Sequence, residues 1–465
     1  MRFKLFVFLF FFVISCFNLF SQGYKIEIQI KQLADSNVYL GYHYGNEQFV
    51  IDTAHLSKLG KGVFEGKKEL PQGVYMVVLP NMTYFDILVP IPQKFFIKND
   101  TLDLNANLEV IGSPENEVYV KYQKFSADKR FEISKLSDQI KAKPQFAITN
   151  QNKIDSIQFV IRNERSRIIK SNPKTFFAAL LNSMVDPDLP AKFLKADNPA
   201  IVEEKLNYLA LHYFDNYDFN DENLLFSPVL FNKLMTYYSK LIINIPDSIN
   251  KASDLLLVKS MKSPEVYRFI LNTLISTFDL SGDLPNDEAF VYLADNYYLN
   301  ELAPWVNEEF LGRLRTHITD LRPTLVGSVA PALSLSDTLG NLKSIKEINA
   351  CFTLVLFWNP DCEHCIDFMA ELNKICKIYP STYFQVYTVL ATDNEKLWRS
   401  FLRKNSFPWI SVFDSTKKNE FIDTYKLFMI PRMYLLDSEK RIVRKDFEAE
   451  ELQQYLQNQF AKGCK

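Results

Sequence analysis

Cys362 and Cys365 lie three residues apart in the stretch Trp358-Asn359-Pro360-Asp361-Cys362-Glu363-His364-Cys365. On a helix this spacing sets two sulfurs about one turn apart, close enough to form a disulfide. Two thiols that can close into a disulfide and reopen carry two electrons. The chemistry also needs a thiolate, and the surroundings offer one. Thr353 to Phe357 is an apolar run of strand-forming types, and Asn359-Pro360-Asp361 breaks it. From Glu363 to Tyr379 a helical period follows, with Ile366, Met369, Leu372 or Asn373, and Cys376 in phase. The pair therefore sits in the first turn of a helix, where unpaired amide N–H groups and the macrodipole stabilise a negative sulfur. Cys362 is expected to be the attacking thiolate and Cys365 the resolving thiol. A zinc site is the competing reading, but it needs about four converging ligands and the chain has no second Cys-x-x-Cys. Two inert core cysteines are the remaining alternative.

The residues from Gly327 to Lys465 resemble thioredoxin-fold proteins of the TlpA/ResA type, the envelope thiol–disulfide oxidoreductases of the thioredoxin/AhpC-TSA superfamily. The matching residues are Gly327-Ser-Val-Ala330-Pro331, Asp337-Thr-Leu-Gly340, Phe357-Trp358, Cys362-Glu-His-Cys365, and Ile430-Pro431 before Arg432-Met-Tyr-Leu-Leu-Asp437. The resemblance implies that Pro431 is a cis-proline facing the disulfide, with the Ile430 backbone presented to a substrate strand. Trp358, Glu363 and His364, which adjoin the pair, are expected to modulate it. No cofactor and no metal are implied. Implied partners are envelope protein thiols and disulfides and a membrane electron donor of the DsbD kind.

The chain departs from the family in two places. Thioredoxin carries a buried acid six residues before its first cysteine, where this chain has Leu356. ResA-type proteins carry a Glu three residues after the second cysteine, where Phe368 stands, and Asp367 and Glu371 flank that site on other faces of the helix. The proton acceptor is thus unassigned. A thiol peroxidase of the AhpC/TSA type is the alternative activity. Its Pro-x-x-x-Thr/Ser-x-x-Cys context would place Pro and Thr/Ser where Val355 and Asn359 occur. His364 stands where the oxidant DsbA also has histidine, and a positive imidazole would favour the dithiol; Glu363 and Asp361 oppose it. A potential nearer thioredoxin, and a role as a reductant, are expected.

Composition supports sizeable cores: 47% of the 465 residues are hydrophobic, which excludes a disordered chain. A net charge of −2 with no dominant basic block argues against nucleic acid as a partner. Residues 1–21 read as a secretory signal peptide, with Arg2 and Lys4 ahead of an apolar core too short to span a bilayer. A second reading makes Cys16, in Val13-Ile14-Ser15-Cys16, the lipid-bearing residue of a lipoprotein. Either way the protein is expected in the periplasm or cell envelope, where disulfides persist. Cys376 lies about 16 Å along the helix from Cys365, beyond bridging range, and reads as a buried free thiol. Cys351 and Cys464 show no catalytic context.

The expected fold is multidomain: an all-β domain (22–112), an all-α domain (113–322) and a C-terminal α/β thioredoxin-like domain (327–465). Short alternating strands are expected at Tyr24–Ile30, Val38–Tyr44, Val74–Leu79, Phe85–Val89, Phe95–Ile97 and Leu102–Val110, as in a sandwich or open barrel. Cap-plus-proline pairs then mark helix starts at Ser113-Pro114, Asn172-Pro173, Asn198-Pro199, Ser227-Pro228 and Ser263-Pro264. Arg322 to Pro331 reads as a linker. Thr392-Asp-Asn-Glu395 has the form of a capping box. Residues 24–322 show no catalytic spacing and are expected to recruit or orient a partner. A partner-binding protein with an auxiliary redox domain is the alternative for the whole chain.

Overall fold

The computed structural model describes residues 23–193, 198–279, 286–418, 420–427, 429–460 and 463. The expected leader, with Cys16, and the tail residue Cys464 lie outside the described residues. The chain divides into two compact units, 1–243 with 258–267 and 244–257 with 268–465. Among the described residues no helix is long and apolar enough to cross a membrane.

The first unit opens with strands β1 (Tyr24–Lys31), β2 (Ser36–Tyr44), β3 (Glu47–Leu56), β4 (Lys61–Gly66), β5 (Gly73–Val78), β6 (Tyr84–Val89), β7 (Lys94–Asp100) and β8 (Glu109–Ile111). They form two four-stranded sheets, β4-β1-β7-β8 and β3-β2-β5-β6. The period-2 pattern works as expected in β1 and β2, where Ile26, Ile28, Ile30, Val38 and Leu40 are all buried. Strands β3 and β4 escape that pattern. β3 exposes Phe49, Val50 and Ile51 together, and β4 (Lys-Gly-Val-Phe-Glu-Gly) carries two glycines. The expected strand at Leu102–Val110 is mostly turn. The Asp100 carboxylate accepts the Leu102 and Asp103 amides, and Asp103 accepts those of Asn105 and Ala106. Asp side chains that capture local amides compete with ladder bonds, so only the last residues pair.

Helices follow: α1 (Pro114–Ala142), α2 (Ala147–Ser171), α3 (Phe176–Ser183), α4 (Pro199–His212), α5 (Val229–Thr236), α6 (Pro246–Ser260), α7 (Pro264–Phe278), α8 (Asp287–Leu293) and α9 (Glu308–Leu321). Ser113 and Asn198 cap α1 and α4 as expected, each accepting an amide of the first turn ahead of a proline. Asn172-Pro173 does the reverse: Asn172 ends α2, and Thr175 caps α3 by accepting the Ala178 N–H. A proline directly after Asn172 disfavours helical backbone there, so the pair marks a stop.

In the second unit the C-terminal elements are β9 (Ser334–Asp337), β10 (Leu342–Ser344), β11 (Phe352–Trp358), α10 (Glu363–Cys376), β12 (Phe384–Leu390), α11 (Glu395–Lys404), β13 (Ile410–Phe413), α12 (Glu420–Thr424), β14 (Arg432–Leu436), β15 (Ile442–Lys445) and α13 (Ala449–Phe460). They build one seven-stranded sheet, β10-β9-β13-β12-β11-β14-β15. Central β11 runs parallel to β12 and antiparallel to β14. Its alternate residues feed two cores. Leu354, Leu356 and Trp358 pack with α10 and α13, while Val355 and Phe357 pack with Tyr387, Tyr425 and Tyr434. The Asp337-Thr-Leu-Gly340 motif is the β9–β10 turn. Asp337 accepts the Leu339 and Asn341 amides, and Gly340 supplies φ +86°. Two expectations change here. Asn394, not Thr392, caps α11 through the Leu397 N–H. The segment read as a linker is bonded along the β15 hairpin: Gly327 donates to Ile442 O, and Ala330 to Lys440 O.

Candidate active site

The turn after β11 is built by its own residues. Asn359 accepts the Asp361 N–H on Oδ1 (3.2 Å) and the Cys362 N–H on its carbonyl (3.1 Å). That leaves Cys362 in extended conformation as the N-cap of α10, with its Sγ accepting the Cys365 N–H at 3.1 Å. A sulfur in a capping position stabilises its anion by hydrogen bond and dipole together. Cys362 and Cys365 are joined by a disulfide with Cα atoms 5.2 Å apart. Cys362 is half-buried, and Cys365 is fully buried. An incoming substrate therefore reaches Cys362 before Cys365.

Across the sheet end, the Ile430–Pro431 peptide is cis, and the Ile430 carbonyl oxygen is 4.0 Å from Cys362 Sγ. Residues 68 apart in sequence thus meet, because β11 and β14 pair and their ends coincide at Phe357 and Arg432. Trp358 is wholly buried against Phe401, with ring centroids 5.2 Å apart, and its carbonyl accepts the Ala391 N–H. It holds the strand end beneath the turn. Glu363 and His364 are exposed on the first turn of α10.

The surroundings of Cys365 are apolar. Its core neighbours include Leu356, Trp358, Phe368, Met369 and Leu372, and both family acid positions, Leu356 and Phe368, are buried hydrocarbon. Asp367 and Glu371 are exposed. Cys376 is a free, half-buried thiol, and burial pushes its pKa up to about 12, so it is protonated at neutral pH. Cys351 is disulfide-bonded.

A second cluster escaped the sequence reading. Arg432, directly after Pro431 and 6% exposed, donates Nε to Tyr434 Oη (3.0 Å) and Nη1 to Asp446. Its Nη2 is 3.6 Å from Asp287 Oδ2. Lys445 Nζ contacts Asp287 Oδ1 (2.5 Å) and Glu288 Oε1 (2.7 Å). Burial pushes the carboxyls of Glu288 and Asp446 up; burial acts on Asp287 too, but the Lys445 charge and hydrogen bonds outweigh it and hold that carboxyl below its usual range. These six residues come from three separated stretches. No spacing announces them, and the only hint was the position of Arg432 beside Pro431.

Three family models match successive parts of the chain. Residues 24–119 match a domain of unknown function (DUF4369), residues 164–322 another (DUF5106), and residues 326–445 the AhpC/TSA family. The comparison with curated proteins gives no match. Among solved structures, the chain is similar to a thioredoxin-like protein from Bacteroides caccae (20% identity, 59% of this chain and 98% of that one, TM-score 0.47). It is also similar to the thioredoxin domain of a thiol-disulfide oxidoreductase from Bacteroides vulgatus (25% identity, 29% and 96%, TM-score 0.28). A third is a thiol:disulfide interchange protein from Bacteroides sp. (26% identity, 30% and 93%, TM-score 0.28). The sheet order, the cysteine pair at the start of α10 and the matched model agree: the C-terminal part of this chain is a thioredoxin-like domain of the AhpC/TSA family, preceded by two segments of families without assigned function.

Proposed function

We infer that the protein is a thiol–disulfide oxidoreductase of the cell envelope, acting as a reductant on exported proteins. The observation that carries this reading is the half-buried Cys362 at the N-cap of α10, disulfide-bonded to buried Cys365 and lying against the Ile430 carbonyl.

In the dithiol form the Cys362 thiolate attacks one sulfur of a substrate disulfide. An S–S bond forms to Cys362, the substrate S–S bond breaks, and the second substrate sulfur leaves as a thiolate. Cys365 then loses its proton and attacks Cys362 Sγ. The intramolecular disulfide forms, the substrate leaves with both sulfurs reduced, and two electrons have passed to it. The Ile430 backbone holds the substrate strand during both displacements. A membrane dithiol donor of the DsbD kind returns the pair of electrons. Residues 24–322 recruit or orient the partner.

The peroxidase alternative is not supported by geometry. Val355 is buried within β11 and Asn359 is engaged in the turn, and neither side chain carries a hydroxyl for a peroxide. The test is trapping in the exported protein. Cys365→Ser should accumulate mixed disulfides with envelope proteins, and Cys362→Ser should not. Equal trapping by both variants overturns the assignment of the nucleophile, and no trapping by either removes the oxidoreductase reading.

A further inference from the structure

We propose that Arg432 is a positioning residue of the redox site and that Asp287, from the helical segment, completes its anchor. This rests on the oxidoreductase reading above. The Ile430–Pro431 loop touches Cys362 on one side and is continuous with Arg432 on the other. A loop that presents backbone to a substrate strand must be held still, and a loop has few contacts of its own to do so. Here the hold lies one residue away. The Arg432 guanidinium is a planar fork: Nε donates to Tyr434 Oη and Nη1 to the Asp446 carboxylate, while Nη2 makes no hydrogen bond among the described residues and faces Asp287 Oδ2 as a buried ion pair at 3.6 Å.

The partners are themselves fixed. Tyr434 Oη donates to Tyr425 O (2.7 Å). Asp446 accepts the Met433 N–H (3.2 Å) and returns its own N–H to Met433 O (3.1 Å), a reversal made at φ +47°. Asp287 stands in the first turn of α8 and is 3% exposed. It is held by Lys445 Nζ, which also reaches Glu288 and the Thr324 carbonyl. Glu288 in turn accepts the Val326 N–H (3.0 Å). The start of α8, the segment around Thr324–Val326 and the ends of β14 and β15 thus form one bonded frame behind the loop.

Two consequences follow. Removing residues 286–326 would take Asp287 and Glu288 away from Arg432 and Lys445, so the segment of α8 belongs to the working redox unit. The frame also acts on substrate binding and not on the thiolate. Arg432 projects with Tyr434 from one side of β14, while Cys365 packs in the core on the opposite side of the sheet with Met433 and Leu435.

The experiment uses full-length protein and two disulfides. Insulin needs the loop to bind a strand; 5,5′-dithiobis(2-nitrobenzoate) needs only an accessible thiolate. For Arg432→Lys and Asp287→Asn we expect kcat/KM on insulin to fall about tenfold, mainly through KM, with the rate on the small disulfide within about twofold. Asp287→Glu should restore most of the loss. In both impaired variants hydrogen exchange at the Met433 amide should accelerate about tenfold, with the amides between β11 and β12 unchanged. A parallel fall on both disulfides, no fall on either, or unchanged Met433 exchange overturns the proposal. A wild-type protein inactive on insulin overturns the oxidoreductase reading instead, and the exchange measurement still decides whether the anchor exists.

Discussion

The two faces of the C-terminal sheet solve opposite problems. On the face of α10, Cys365 is enclosed by Leu356, Trp358, Phe368 and Met369. On the other face, Arg432, Lys445, Asp287, Glu288 and Asp446 form an ionic network behind the loop that meets Cys362. The resolving sulfur sits in hydrocarbon, and the charge is spent on geometry. A buried ion network stabilises little by itself, because desolvation offsets the attraction. Its value lies in direction: opposite charges face one another in one arrangement of the loop. An apolar pocket, by contrast, encloses the Cys365 sulfur and leaves Cys362 as the accessible one.

The sharpest way to break this comparison is to remove the sulfurs. Cys362→Ser should lower protein-disulfide reduction by about a thousandfold or more, since the serine hydroxyl is not ionised at neutral pH. Cys365→Ser should leave the first displacement intact and stop the second. Stopped-flow mixing with insulin distinguishes the two, and comparable burst amplitudes in both variants would contradict the division of labour.

The charged face predicts a stability ordering. Asp287→Asn leaves two buried cations short of one carboxylate and should cost about 3 kcal/mol at neutral pH. Glu288→Gln keeps an acceptor for Val326 and should change stability by no more than about 1 kcal/mol. The pH dependence separates them further. Asp287 has a depressed folded pKa, so its contribution is present above the unfolded value of about 3.9 and is lost as pH falls through the lower folded value. Glu288 and Asp446 are raised by burial. Each favours the fold below its unfolded pKa of about 4, and that benefit disappears as pH rises through the higher folded value. Glu288→Gln should therefore look worse at pH 4 than at pH 7 relative to wild type. Urea melts at the two values check it, and a constant difference would show that the Glu288 pKa does not change on folding.

How much of this was legible follows the same divide. The cysteine site was readable because its determinants are local: a strand, a breaking turn and a helix start within thirteen residues. The Pro431 loop was readable only through resemblance, since nothing in residues 353–365 refers to residue 430. The ionic frame was not readable at all. Asp287 and Lys445 are 158 positions apart, and each looks like an ordinary surface charge until α8 and β15 are placed side by side. Among the helix starts, Ser113-Pro114 and Asn172-Pro173 share one pattern but play opposite parts, because the second follows a helix that must stop. Strands β3 and β4 were missed for want of alternation, and the Asp100–Asp103 turn displaced a strand through side-chain capture of amides.

The apolar face predicts a slow second step. With hydrocarbon at Leu356 and Phe368, the two positions where the resemblance implies an acid, neither position supplies a carboxylate to take the Cys365 proton. Phe368→Glu places one a helical turn beyond Cys365 and should raise the rate of mixed-disulfide resolution about tenfold, at a stability cost of about 2–3 kcal/mol for the buried acid. Rapid quench of the mixed disulfide measures it. An unchanged rate would mean that the step is limited by something other than proton removal.

The smallest expected effect concerns direction of electron flow. His364 is exposed on the first turn of α10, between Glu363 and Cys365. A positive imidazole favours the Cys362 thiolate, stabilises the dithiol and makes the couple more oxidising; Asp361 and Glu363, also exposed, act against it. Solvent screens all three, so none dominates. The range between thioredoxin at about −270 mV and DsbA at about −120 mV cannot be spanned by one screened charge. His364→Ala should lower the potential by on the order of 20 mV, leaving the protein a reductant. Redox titration against glutathione at neutral pH measures both values. A wild-type couple near that of DsbA would reverse the direction of the proposed reaction, and no shift in the variant would show that the imidazole does not act on Cys362.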